Sequence, residues 1–242
     1  MNFLNNFLFI ALPYIAIVTF LIGTIQRYRT TGFKYSSLSS QFLEGKRLYL
    51  GSMLFHWGIM VVFLGHLITF LFPKATLAWN SNPVRLIALE VTAFTFGLSV
   101  LMGLVILFLR RISNVRVRVV TSRMDLCLEI LLGLQIVLGC WIALGYRWGS
   151  SWFAADLAPY LWSVLTFDPR IEAVSAMPWV IKGHIIGAFI LVAIFPFTRL
   201  VHFLVAPFHY IWRPYQQVMW YWDRKRVRNP QNVWTEHRPQ NN

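Results

Sequence analysis

Charged residues are scarce in this 242-residue sequence. They make up 13% of it, about half the quarter usual in a soluble domain. Acidic ones are scarcest, nine Asp and Glu against 22 Lys and Arg. Cysteine is nearly absent: Cys127 and Cys140 are the only two, and both fall in one apolar run, which excludes a disulfide framework. No cysteine set for iron–sulfur clusters exists. The lack of any Cys-x-x-Cys-His also excludes covalent attachment of a c-type haem. What fills the sequence instead is apolar: 57% of residues, with 17% aromatic, and a mean hydropathy of +0.56. These residues gather in runs near the roughly 20 needed for a helix to cross a bilayer. A disordered chain and a water-soluble globule are both excluded. The reading is an all-α polytopic membrane protein.

A net charge of +13 raises the question of nucleic acid. The basic residues lie between the apolar runs rather than on one face, so membrane topology accounts for them and a nucleic-acid partner is not expected. Five spans are predicted, at about 3–25, 52–72, 86–109, 125–146 and 182–204. The first has no basic n-region and too long an apolar stretch for a signal peptide, and it reads as an uncleaved helix. Pro13 and Pro196 are expected to kink their spans, as neighbouring helices allow in a membrane. Sixteen basic residues, among them Arg27, Arg110 and Arg224, fall in the connections after spans one and three and in the tail; five fall in the other two connections. By the positive-inside rule the N-terminus is outside and the C-terminus cytoplasmic.

Residues 1–207 are therefore read as a five-helix transmembrane domain and 208–242 as a cytoplasmic tail, polar, basic and Trp/Tyr-studded, suited to docking on a cytoplasmic partner. The outer loop at about 147–181 is long and aromatic enough to fold over the helix ends, with a short interfacial helix.

Four of the six histidines sit in two spans: His56 and His66 in the second, His184 and His202 in the fifth. An ionisable ring at membrane depth is costly and points to function, although one alone more often bonds a neighbouring helix. Spans two and five run antiparallel, so His56 shares the inner level with His202, and His66 the outer level with His184. Along ideal helices His56 and His66 are separated by about 15 Å, and His184 and His202 by about 27 Å. Side-chain reach and helix tilt are expected to absorb the 12 Å or so of mismatch. His209 and His237 lack such partners and read as surface residues.

An imidazole from each of two helices, with no thiolate or carboxylate beside it, suits six-coordinate haem iron, whereas zinc wants more ligands per site. Gly58, Gly65, Gly183 and Gly187 flank the histidines; they would admit a flat macrocycle, or serve ordinary close packing. Arg199, three residues before His202, could pair with a haem propionate or snorkel to the inner interface.

With those residues in place the sequence resembles a known family, the membrane gamma subunit of respiratory nitrate reductase, together with related subunits of nitrite oxidoreductases. The resemblance rests on Leu54-Phe55-His56-Trp57-Gly58-Ile59 with Gly65-His66, on Leu109-Arg110-Arg111, and on Gly183-His184 through Phe195-Pro196-Phe197-Thr198-Arg199-Leu200-Val201-His202. The opening Met1-Asn2-Phe3-Leu4-Asn5 and Ser39-Ser40-Gln41 also match. It implies a di-haem cytochrome b of the inner membrane. His66 and His184 would hold the distal haem iron, and His56 and His202 the proximal one. Quinol would be oxidised near the distal haem, beside Gly65, His66 and Arg85, which stands where better-known members have lysine. Arginine keeps that charge but is not interchangeable with lysine. Electrons would pass to an iron–sulfur beta subunit and a molybdenum-containing alpha subunit at the cytoplasmic face, where the nitrate chemistry lies.

Rival readings are a di-haem anchor of a formate dehydrogenase or hydrogenase, a proton or cation transporter relaying protons through its histidines, and a purely structural anchor. The first uses other histidine layouts. The second wants a carboxylate at mid-membrane, and Glu90, Asp125 and Glu129 all lie near span ends.

Overall fold

The computed structural model describes residues 2–31, 40 and 43–205. The predicted tail, with His209 and His237, lies outside the described residues, as do Ser39 and Gln41. The described residues are helix and connection, without a strand. In chain order the helices are α1 (Phe3–Thr31), α2 (Lys46–Leu71), α3 (Pro73–Asn80), α4 (Pro83–Ser113), α5 (Val115–Val119), α6 (Arg123–Gly145), α7 (Gly149–Trp152), α8 (Ala158–Leu165), α9 (Glu172–Ala176) and α10 (Trp179–Ile194). Five segments are long and apolar enough to cross a membrane: α1, α2, α4, α6, and α10 extended to Phe197. The five predicted spans are thus all present.

Local signals set most helix starts. Pro73 and Pro83 occupy first-turn positions, where a missing N–H costs nothing. The Asn82 side chain accepts from Val84 N and Arg85 N at 3.0 and 3.4 Å. Ser122 and Asp125 form a reciprocal capping box on α6.

Between α2 and α4, glycine lets the backbones touch. A Cβ added to Gly103 would stand 2.8 Å from Gly51 O and 2.9 Å from Phe55 Cα; one on Gly58 would stand 2.8 Å from Phe96 O. The bland reading of Gly58, close packing between helices, is the one the structure supports. Ser99 Oγ seals the contact by donating to Leu54 O at 3.0 Å.

The aromatic loop folds as expected into short helices over the ends of the spans, joined by a π turn at Phe153–Leu157. This cap takes part in an apolar cluster, in which Leu157, Tyr160, Val164 and Val174 pack with Phe9, Leu138, Ile142 and Ile185.

Both expected proline sites depart from regular helix. Pro13 follows a π turn at Phe7–Ala11 and leaves Phe9 O without its partner four residues on. The buried Tyr160 hydroxyl donates to that oxygen at 2.8 Å. Pro196 does more than kink its span. The continuous helix predicted over 182–204 is not formed: α10 ends at Ile194, a 3₁₀ turn covers Phe195–Phe197, Thr198 is extended, and a second 3₁₀ segment runs Arg199–Val205. Proline lacks the N–H an α-helix needs there and its ring crowds the preceding turn. The carbonyls freed at the break are taken by Arg27 of α1, whose Nη1 donates to Pro196 O at 2.6 Å and Thr198 O at 2.7 Å.

Candidate functional site

The break lies between the two histidines of the fifth span, His184 and His202. His202 is carried not by α10 but by the 3₁₀ segment beyond it, and its ring comes to 6.2 Å from the ring of His56, centre to centre, at 61°.

Around this pair the hydrogen bonds fix the tautomers. His56 Nδ1 donates to Ser52 O at 2.8 Å, with Ser52 Oγ at 3.1 Å. His202 Nδ1 donates to Arg199 O at 2.7 Å. A carbonyl oxygen has no proton to give, so each Nδ1 carries the hydrogen and each Nε2 keeps its lone pair.

At the other end of the helices, His66 Nδ1 donates likewise to Val62 O at 2.8 Å. Its ring meets Phe153 of the cap edge-on at 5.5 Å. His184 packs against α6, where a Cβ added to Gly139 would stand 3.3 Å from its Cε1. Its own Nδ1 is buried without a hydrogen bond. Gln135 Nε2 holds its backbone carbonyl at 3.0 Å.

These residues fit a bis-imidazole iron site. A metal-bound histidine normally gives its second ring N–H to a carbonyl or carboxylate, and three of the four do so. Two metal–imidazole bonds of about 2 Å, with the reach of each ring added, bring ring centres to about 6 Å, close to the spacing of His56 and His202. Among the described residues no group of three or more His, Cys, Asp or Glu is placed to hold a metal ion. Beside His66, a Cβ on Gly65 would meet nothing within 4 Å, unlike one on Gly58.

Arg199 has a carboxylate partner. Its Nε and Nη2 grip Asp125 of α6 at 2.7 and 2.8 Å. Asp125 belongs to a larger ionic set: Arg111 approaches it at 3.6 Å and pairs with Glu129 at 2.8 Å. Nearby Arg110, buried, holds Glu44 at 2.6 Å and also donates to Ser40 O and Glu44 O. The Arg47 backbone N–H, with the Arg110 guanidinium, keeps the Glu44 carboxyl below the usual carboxylate range.

Arg85 is exposed in the first turn of α4, its guanidinium 5.2 Å over the ring of Trp79. It shares no hydrogen bond, ion pair or ring contact with His66 among the described residues.

The residues that sequence reasoning passed over are those that act across the fold. Arg27 counted there only as a topology signal, and Arg110 and Arg111 only as topology signals and as part of the resemblance. Tyr160, Gln135 and Gly139 were not singled out. A proline in a span announces that some partner must take a freed carbonyl, but not which.

Comparison with known proteins follows the same lines. A family profile described as nitrate reductase gamma subunit matches residues 5–221. The nitrate reductase gamma chain of Bacillus subtilis (strain 168) is 32% identical over 209 residues, 84% of this chain and 93% of that one. Respiratory nitrate reductase 1 gamma chain of Escherichia coli (strain K12) is 33% identical over 223 residues, 90% of this chain and 98% of that one. The corresponding respiratory nitrate reductase 2 gamma chain is 32% identical over 222 residues, with 90% and 97% covered.

Proposed function

The chain belongs to the nitrate reductase gamma subunit family, and we propose that it serves a respiratory nitrate reductase as its di-haem cytochrome b. It is a multi-pass membrane subunit of an enzyme complex; the finer roles that follow are our reading. His66 and His184 hold the distal haem iron, His56 and His202 the proximal one. When bound, each haem would supply a one-electron redox centre, and these histidines would hold and orient it.

The observation that carries the reading is the matched pair of His56 and His202: rings 6.2 Å apart, each Nδ1 tied to a carbonyl, each Nε2 left with its lone pair. Arg85 would donate to a quinone oxygen at the capped end, where Gly65 leaves room beside His66. Quinol oxidised there releases its two protons on that side. Its electrons leave at the arginine-rich end, which the positive-inside rule makes cytoplasmic in the inner membrane. The iron–sulfur beta subunit and the molybdenum-containing alpha subunit are placed at that face, since this chain has no cysteine set for clusters of its own.

A reduced-minus-oxidised spectrum with haem quantified per chain tests this. Close to two haem b per chain is expected. His66→Ala or His184→Ala should remove one haem and quinol oxidation, while His56→Ala or His202→Ala should spare the distal haem. Absence of haem from a folded preparation, or loss of both haems in every single variant, would overturn the assignment.

A further inference from the structure

His202 stands apart from the other three histidines in how its ring is held. His56 and His66 give their Nδ1 protons to carbonyls one turn back in a continuous α-helix. His202 gives its proton to Arg199 O, three residues back, in a 3₁₀ segment beyond a broken helix. Such a turn has poorer hydrogen-bond geometry and less intrinsic rigidity than an α-helix. Something outside the segment must fix Arg199 if its carbonyl is to aim the imidazole.

Asp125 is so placed. It is 6% exposed and binds the Arg199 guanidinium at two points, Oδ1 to Nε at 2.7 Å and Oδ2 to Nη2 at 2.8 Å. A bidentate pair of this kind constrains orientation as well as distance. Asp125 is itself fixed, since its Oδ2 accepts from Ser122 N at 3.0 Å and its own N donates to Ser122 Oγ at 3.1 Å. A line of contacts therefore runs from the start of α6, through the Asp125 carboxylate and the Arg199 side chain and carbonyl, to His202 Nδ1.

We propose that Asp125 is a positioning residue for the ligand His202: through Arg199 it sets the direction and strength of the hydrogen bond on the imidazole and thereby the potential of the proximal haem. The inference rests on the haem reading above. A firm hydrogen bond at Nδ1 makes the ring a more basic ligand and favours the ferric state. The Asp125 carboxylate acts in the same sense through its charge.

The test uses membranes holding the full chain in its complex, and reads the midpoint potential of each haem and its low-field EPR line. Asp125→Asn should raise the potential of one haem and shift its line, leaving the other unchanged. Asp125→Glu should restore most of the native value. Arg199→Gln, which leaves the α6 capping box intact, should shift the line of the same haem, with a smaller rise in potential because a positive charge is lost together with the hold on the ligand. Ser122→Ala, which removes the Ser122 Oγ contact but keeps the Ser122 N–H on Asp125 Oδ2, should move that haem less than Asp125→Asn does. Two native haems with unmoved potentials and lines in Asp125→Asn and Arg199→Gln overturn the proposal, as does an equal shift of both haems or a matching shift in Ser122→Ala. Absence of haem from the native chain would instead overturn the reading on which it rests.

Discussion

The two ends of this bundle meet the same problem with different chemistry. Each has a proline that strips a spanning helix of a hydrogen bond, and each carries a pair of histidines. At the capped end Pro13 frees Phe9 O, and a neutral phenol, Tyr160, takes it from within an apolar cluster. At the other end Pro196 frees a turn, and a guanidinium, Arg27, takes two carbonyls at once. The first repair leaves the helix continuous; the second accompanies a true break and a new direction for the chain. A hydroxyl gives one proton, so it mends one carbonyl. An arginine offers five donors in a fixed fork and can hold an opened turn in place. The ends also differ in setting: buried aliphatic and aromatic packing around Tyr160, and ion pairs around Arg110, Arg111 and Asp125.

Removing Arg27 should break the contrast most severely. Arg27→Met keeps an unbranched chain of similar length while stripping both donors. The loss of two charge-assisted hydrogen bonds to backbone should cost about 3 kcal/mol or more. Thermal unfolding in detergent would show it as a lowered midpoint, with the His202 segment loosened first. An unchanged midpoint would mean that the broken turn holds itself.

Tyr160→Phe is the milder counterpart. It deletes one hydroxyl, keeps the ring that packs edge-on against Phe9, and leaves a buried carbonyl unpaired, for about 1–2 kcal/mol. The two ends should also fail at opposite pH. Glu44 has a folded pKa below its unfolded value of 4.5. Its contribution is therefore complete above that value and lost as pH falls through the folded pKa. Tyr160 has a folded pKa raised above 10, first by burial and then by Tyr14. Its contribution is complete below pH 10 and lost as pH rises beyond it. Glu44→Gln should flatten the acid limb of a stability–pH curve, and Tyr160→Phe the alkaline limb. Loss of the alkaline limb in the Glu44 variant would show that the ends are not independent.

How much of this could be read from the residues alone divides along physical lines. Five spans, the four histidines and their pairing by level follow from run length and from the cost of an imidazole in an apolar layer, both local or additive quantities. The predicted cap over the helix ends is also realised. The path of the chain after Pro196 was not legible. Proline announces a disturbance, but its form depends on Arg27 and Asp125, which lie 169 and 74 positions away from their partners. Arg199 illustrates the same limit. Its helical spacing from His202 suggested a shared face, yet the segment is not α-helical there, and the side chain turns to a carboxylate of α6. The glycines beside the ligands had two readings, and only neighbouring backbone could separate them.

That separation gives the smallest expected effect and the sharpest contrast between the ends. Gly58 lies near His56 against α4, where an added methyl meets the Phe96 carbonyl; Gly65 lies beside His66 with nothing within 4 Å. Gly58→Ala should therefore destabilise by forcing two backbones apart. Gly65→Ala should leave the unfolding midpoint unchanged or raise it slightly, since alanine favours a helix interior over glycine by about 1 kcal/mol. If Gly65 is bare because a flat macrocycle lies against it, the same methyl should lower distal haem content or move its potential while stability holds. Should Gly65→Ala leave that haem untouched, the macrocycle must approach His66 from another side, and the open face at Gly65 would belong to lipid.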